Sequence, residues 1–272
     1  MIMNGFLEKL ALSSHENQEK FRSSSWLSPK AYLVYKVILV LFLTPWMPYS
    51  MYLDGSVLWL IYLTHWTFTA EWVYFCTSAY QAFRGYSTKS SCAESRSSGI
   101  PDVETQSASL EKDGNIDLNL PLTSDTPKIG VLEYVQWIAY YITLDCCVIV
   151  TIVYWLFVYE GKFGANTFVL HTINSLVMVF DQLIVAMPCG KMHFWVAQVY
   201  GVIYLVQTLI YWGADKTSFP IYDIIDWSNS PGGAALWAII LICIGIPLMH
   251  MLFYGLSQLR EKYIVKSESI RT

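Results

Sequence analysis

One 22-residue stretch sets the terms for the whole chain. Ala165–Ala186 reads A-N-T-F-V-L-H-T-I-N-S-L-V-M-V-F-D-Q-L-I-V-A, long and apolar enough for a helix that crosses a bilayer. It nevertheless carries His171, Asn174, Ser175, Asp181 and Gln182, which share one helical face with Met178. An aspartate in hydrocarbon costs about 2.5–3.5 kcal/mol, so that face must turn toward protein or water. The stretch therefore predicts a multi-helix membrane bundle with a polar seam inside it.

The remaining sequence agrees. Charged residues are only 14% of the chain and hydrophobic ones 54%, against about a quarter charged in a soluble domain. The pattern predicts an all-α polytopic protein of six transmembrane helices, at about 31–48, 56–80, 132–158, 165–187, 192–212 and 236–256. Residues 1–30 read as a polar tail without the apolar core of a signal peptide, so the first span is expected to act as an uncleaved anchor. Residues 84–130, rich in Ser, Asp, Glu and Lys, read as a disordered loop, and 260–272 as a second tail. Pro45 and Pro48 are expected to end the first span and Pro247 to kink the sixth. Lys36 is expected to snorkel from the first span toward headgroups.

Lys and Arg are distributed unevenly. Four lie in the N-terminal tail, five in the long loop, one at Lys191 and four in the C-terminal segment, whereas Lys162 and Lys216 alone fall on the other side. The positive-inside rule then places both termini and the long loop in the cytoplasm. With direction fixed, helical rise gives depth. Thr64, His171 and Gln207 come out in the outer leaflet, while Glu71, Asp145, Asp181 and His250 form a deeper ionisable layer roughly 20–24 Å from the outer end.

The chemistry these layers allow differs. The deeper groups read as interhelical pairs or as a proton or ion path, which would make the chain a transporter. The outer layer holds a hydroxyl that His171 can deprotonate, so Thr64 and His171 are candidate catalytic residues, with Asn174 and Gln207 as supporting polar groups. On the second span Thr64, Thr67, Glu71, Tyr74 and Ser78 also form one stripe. Cysteines at 76, 92, 146, 147, 189 and 243 show no metal-ligand spacing, and no cofactor or metal site is indicated. No basic patch for nucleic acid is present.

Y-L-T-H-W at Tyr62–Trp66, H-T-I-N-S-L-V-M-V-F-D at His171–Asp181 and I-Y-D-I-I-D-W-S-N-S-P at Ile221–Pro231 resemble the rolling stone proteins of animals. That branch is similar to the androgen-induced, FAR-17a-type membrane hydrolases. The wider resemblance implies cleavage of fatty-acid esters, with Thr64 as nucleophile and His171 as its partner, and membrane lipids as the source of an acyl-ester substrate. The narrower one implies a non-enzymatic role in cell–cell fusion or adhesion in developing muscle. His65 departs from the pattern, which has Asn there. The plasma membrane is favoured over the endoplasmic reticulum.

Overall fold

A computed structural model of the chain describes residues 18–55, 58–97, 129–161, 163–215 and 220–271, without the side chains of 58, 92–97 and 265–271. The protein is an all-α polytopic membrane protein. A short helix α1 (Glu19–Arg22) precedes α2 (Pro29–Leu43), α3 (Trp46–Asp54), α4 (Leu63–Ser97), α5 (Val131–Val158), α6 (Ala165–Ile184), α7 (Trp195–Ala214) and α8 (Pro231–Arg271). Ser28 caps α2, accepting from the Ala31 N–H at 3.3 Å, and Pro29 occupies the first turn, where no N–H is needed.

Five helices are long and apolar enough to cross a membrane among the described residues: Pro29–Asp54, Val131–Val158, Ala165–Ile184, Trp195–Ala214 and Pro231–Ile264. The expected sixth, α4, has the length but not the hydropathy. It packs against both α2 and α5, so much of its surface meets protein. Thr67, Glu71, Tyr74 and Ser78, the stripe predicted on it, are all fully buried. Buried aromatic residues, among them Phe21, Tyr32, Phe68, Trp137 and Tyr141, fill the space around it. Outward faces of α2, α7 and α8 carry exposed Ile38, Leu41, Ile203, Ile210, Ile244 and Leu248.

Several boundaries depart from the sequence pattern. Pro45 and Pro48 do not end the first span; they start α3, because proline is tolerated in a helix's first turn. α4 begins at Leu63 rather than 56 and runs on through residues expected to be a disordered loop, since nothing before Gly99 and Pro101 breaks a helix. The rest of that loop, 98–128, lies outside the described residues, as do residues 1–17 of the N-terminal tail. From residue 18 onward the tail is tied to the bundle. Phe21 is fully buried, Ser25 N–H donates to the Ile184 carbonyl (2.9 Å), and Ala186 N–H donates to that of Ser23 (3.2 Å).

Among the described residues three turns are wound as π-helix: Tyr154–Val158, Val169–Ile173 and Ile240–Gly245. The third lies just before Pro247, which has no N–H to return to the preceding turn. The Ile242 carbonyl in that turn accepts from the Gln198 side chain of α7 at 3.1 Å. Gly201 lets the two helices meet there, since a Cβ would lie 3.2 Å from Ile242 Cγ1.

Candidate functional site

α4 starts without a capping side chain of its own. Its first N–H, on Leu63, donates to the Tyr222 phenol oxygen (3.1 Å), and Tyr204 donates to the Ile61 carbonyl just upstream (2.8 Å). Thr67, one turn on, donates to the Leu63 carbonyl (2.9 Å) and lies 3.1 Å from the Tyr200 hydroxyl. Three phenols from α7 and the α7–α8 connector thus take up the polar groups at the open end of α4. Burial pushes the Tyr222 phenol above the ordinary tyrosine range; the Thr64 and Tyr204 side chains beside it oppose that shift.

Thr64, in this first turn, lines a cavity between α4, α5, α7 and α8. The wall is mostly aliphatic, with Val150, Leu241 and Ile246, and its hydroxyls come from Thr64, Thr208 and the tyrosines 154, 200, 204 and 222. Ile224 and Ile225 of the connector close one side. Hydrogen bonds hold the connector in place: Trp227 Nε1 donates to Thr208 (3.2 Å) and Trp212 Nε1 to Ser228 (3.0 Å). The connector ends in a turn closed by Asp226, whose carboxylate accepts from the Ser228 and Asn229 N–H groups, each at 2.9 Å.

His171 does not line the cavity. Its ring lies flat on Tyr154, which does, with centroids 3.4 Å apart and planes 3° from parallel. Both members of this stack belong to π-wound turns, a winding frequent at functional sites. Trp155 fixes the backbone there, donating to the His171 carbonyl (3.2 Å) and to Thr172 (3.0 Å). His171 Nδ1 is buried without a hydrogen-bond partner, and no hydrogen bond joins His171 to Thr64 among the described residues. The π turn carrying His171 packs against α4, within electrostatic reach of His65 and Asp54.

His65 is differently placed. Its Nδ1 lies 2.8 Å from the Trp59 carbonyl, its Nε2 3.0 Å from Asp54 Oδ2, and the ring stacks on Trp59. Both nitrogens thus face oxygens of the α3 end and the segment before α4. His65 is a structural tie, whereas His171 has a nitrogen free to accept a proton.

The supporting groups expected from sequence are not gathered here. Asn174 is fully buried beside Ser175, its Nδ2 unpartnered, and Gln207 Oε1 is likewise unpartnered; neither lines the cavity. The deeper layer resolves into separate contacts. Asp145 Oδ2 pairs with His250 Nδ1 at 3.0 Å, and His250 Nε2 meets the Gly190 carbonyl at 2.9 Å. Asp181 pairs with Lys36, which is fully buried and does not snorkel to the surface. Tyr35 and Tyr74 also donate to Asp181, and four aromatic rings surround the ammonium at 4.8–5.5 Å. Glu71 is buried with neither carboxyl oxygen partnered.

The sequence does not single out Tyr154, Tyr222 or Asp54. Tyr222 falls within the quoted Ile221–Pro231 motif, but neither that motif nor the abundance of tyrosine, 19 in 272 residues, says which of them line a cavity.

A family model described as Protein rolling stone matches residues 125–270, which span α5–α8 with His171 but stop short of Thr64. Protein rolling stone of Drosophila melanogaster is 27% identical over 138 residues, 47% of this chain and 50% of the fly protein. The chain thus spans about half the length of the curated relative it matches. No solved structure matches. Helices α5–α8, with the π-wound His171 turn and the connector over the cavity, lie inside the matched region, and the chain belongs to the rolling stone family.

Proposed function

We propose that this chain takes an acyl chain from the membrane into the cavity at Thr64 and hydrolyses its ester. The observation that carries this reading is a threonine hydroxyl on the wall of an otherwise aliphatic cavity. An aliphatic wall suits an acyl tail, and a cluster of phenols at one end suits the polar carbonyl of its ester. Thr64 Oγ1 attacks that carbonyl and His171 takes the proton, giving an acyl-threonine that water then hydrolyses, with the alcohol leaving first. Tyr204 and Tyr222 are the nearest candidates to stabilise the oxyanion. No hydrogen bond joins His171 to Thr64 among the described residues, so the step requires the Tyr154 ring to move off the imidazole face and let His171 reach the hydroxyl. The Lys and Arg distribution supports a placement with both termini cytoplasmic and the cavity toward the outer leaflet.

The test uses the purified chain in lipid nanodiscs, with a fatty-acid ester of a hydroxy fatty acid as substrate and a fluorophosphonate as label. Thr64→Ala abolishes labelling and release of free fatty acid, and His171→Gln lowers release by about 10²–10⁴, the usual worth of a general base. Labelling and turnover that survive Thr64→Ala in a folded protein overturn the reading.

A further inference from the structure

A second recess lies between the N-terminal segment and the polar end of α4. Side chains around it fix its level. On α4 the exposed apolar residues end at Tyr80 and Phe83, just before Arg84, and on α2 they begin beyond Pro29. Trp26, half exposed, donates its indole N–H to the Leu183 carbonyl (2.7 Å), an amphipathic ring of the kind found at membrane interfaces. The recess, reached at Arg22, Thr88 and Lys89, therefore sits at headgroup depth. Gly85 brings its two walls together: a Cβ there would lie 2.9 Å from the Arg22 carbonyl oxygen.

Its free donors are cationic. Arg22 Nε donates to Gln81 (3.3 Å) and Nη2 to Gln18 (2.8 Å) and Glu133 (3.2 Å), leaving Nη1 without a partner among the described residues. Lys89 is exposed and has no ion-pair partner among them. Ser23 and Thr88 hydroxyls already donate to the Glu19 and Arg84 carbonyls, at 2.7 and 3.0 Å. Among the described residues of the lining Glu19 is the one carboxylate. The neighbouring Glu133 is shared between Arg22 and Arg84, at 3.2 and 3.7 Å.

We propose that this recess binds the phosphate-bearing headgroup of an anionic membrane lipid. The free Nη1 of Arg22 can donate a charge-assisted hydrogen bond to a phosphate oxygen, and the lysine adds a second charge from the opposite wall. Basic pockets between helices at this depth suit phosphorylated headgroups. The lipid is favoured over free phosphate because its tails at this level run beside exposed Trp26, Tyr80 and Phe83. A bound headgroup clips the N-terminal segment to α4. This site is separate from the cavity at Thr64 and does not depend on the hydrolase reading.

The experiment purifies the full chain from nanodiscs of phosphatidylcholine with a phosphatidylinositol phosphate and quantifies retained lipid by mass spectrometry. Lys89→Ala lowers retention about fivefold, the worth of one cation at a membrane surface, and Lys89→Arg restores it. Thr88→Glu, which sets a carboxylate in the recess without touching Arg22, abolishes retention while gel filtration and helicity stay unchanged. Ser91→Ala, exposed and outside the lining, has no effect. Equal retention by Lys89→Ala overturns the proposal. So does full thermal protection by inorganic phosphate in pure phosphatidylcholine with no gain from the anionic lipid, which assigns a small-anion site instead.

Discussion

Removing one partner of the buried Lys36–Asp181 pair isolates what the polar seam contributes. Both side chains have no exposure, and Asp181 accepts from Lys36, Tyr35 and Tyr74. Lys36→Met leaves a buried carboxylate with two phenols and no cation, which costs about 3–5 kcal/mol. Asp181→Asn leaves a buried ammonium with aromatic rings and an amide, at a similar cost. The double variant Lys36→Met/Asp181→Asn has no uncompensated charge, and its new amide still offers an oxygen to one phenol. It is therefore less destabilised than the two single changes together, by about 2 kcal/mol or more, within the range seen for contacting residues. Denaturant titration in detergent micelles, followed by the fluorescence of the eleven tryptophans, measures all four corners of the cycle. Additivity within about 0.5 kcal/mol would refute the reasoning, because independent sites behave that way. Tyr74→Phe removes a hydroxyl that donates to Asp181 and accepts from Lys36 (3.2 Å), and in the same assay costs at least about 1.5–3 kcal/mol, the worth of one hydrogen bond to a charge.

Other outcomes follow from single contacts. Glu71→Met is neutral or stabilising in that titration, by up to about 3 kcal/mol, because it replaces a buried carboxyl that has no partner; a clear loss of stability would show that Glu71 is partnered in the membrane. Arg260→Lys destabilises by about 2 kcal/mol, since a point ammonium cannot follow the guanidinium to the Gln182, Val185 and Met187 carbonyls together. The Asn229 N–H and side-chain amide, then the Ser228 N–H, hold the Asp226 carboxyl below the usual carboxylate range. Its contribution to the connector turn is thus complete above about pH 4 and fades as pH falls through the lowered value. Hydrogen-exchange protection at Ser228 and Asn229, corrected for intrinsic rates, drops over that window and is absent at neutral pH in Asp226→Ala.

Much of the fold is legible in the sequence because a membrane makes polarity informative. The stripe from Thr67 to Ser78 and the face from Asn174 to Gln182 can be assigned to the interior from spacing alone, and they are buried. Asp145 and His250, assigned one depth from helical rise, do meet. Lys36 defeats the pattern because a lysine near a span's end usually reaches outward, while its partner lies 145 positions away. Tyr32, Lys36 and Leu43 share a face of α2, the faint trace that points inward. Arg22 and Arg260 count in the sequence only as charges that set orientation, yet each makes specific contacts. The cavity escapes the sequence because tyrosines and aliphatic residues carry no polar contrast. Whether Thr64 meets His171 depends on Tyr154, a ring that helical periodicity does not single out.

The grip of Arg260 on carbonyls at and just beyond the end of α6 bears on how the helices can part. One end of α6 is locked to the N-terminal segment through the Ser23–Ser25 contacts and to α8 through Arg260 and through Gln182 on the Phe253 carbonyl. About 20 Å along the same helix, His171 sits in a π turn against a tyrosine that lines the cavity. Any parting of these helices must therefore pivot about the stitched base, opening at the Thr64 end while the charged base stays shut.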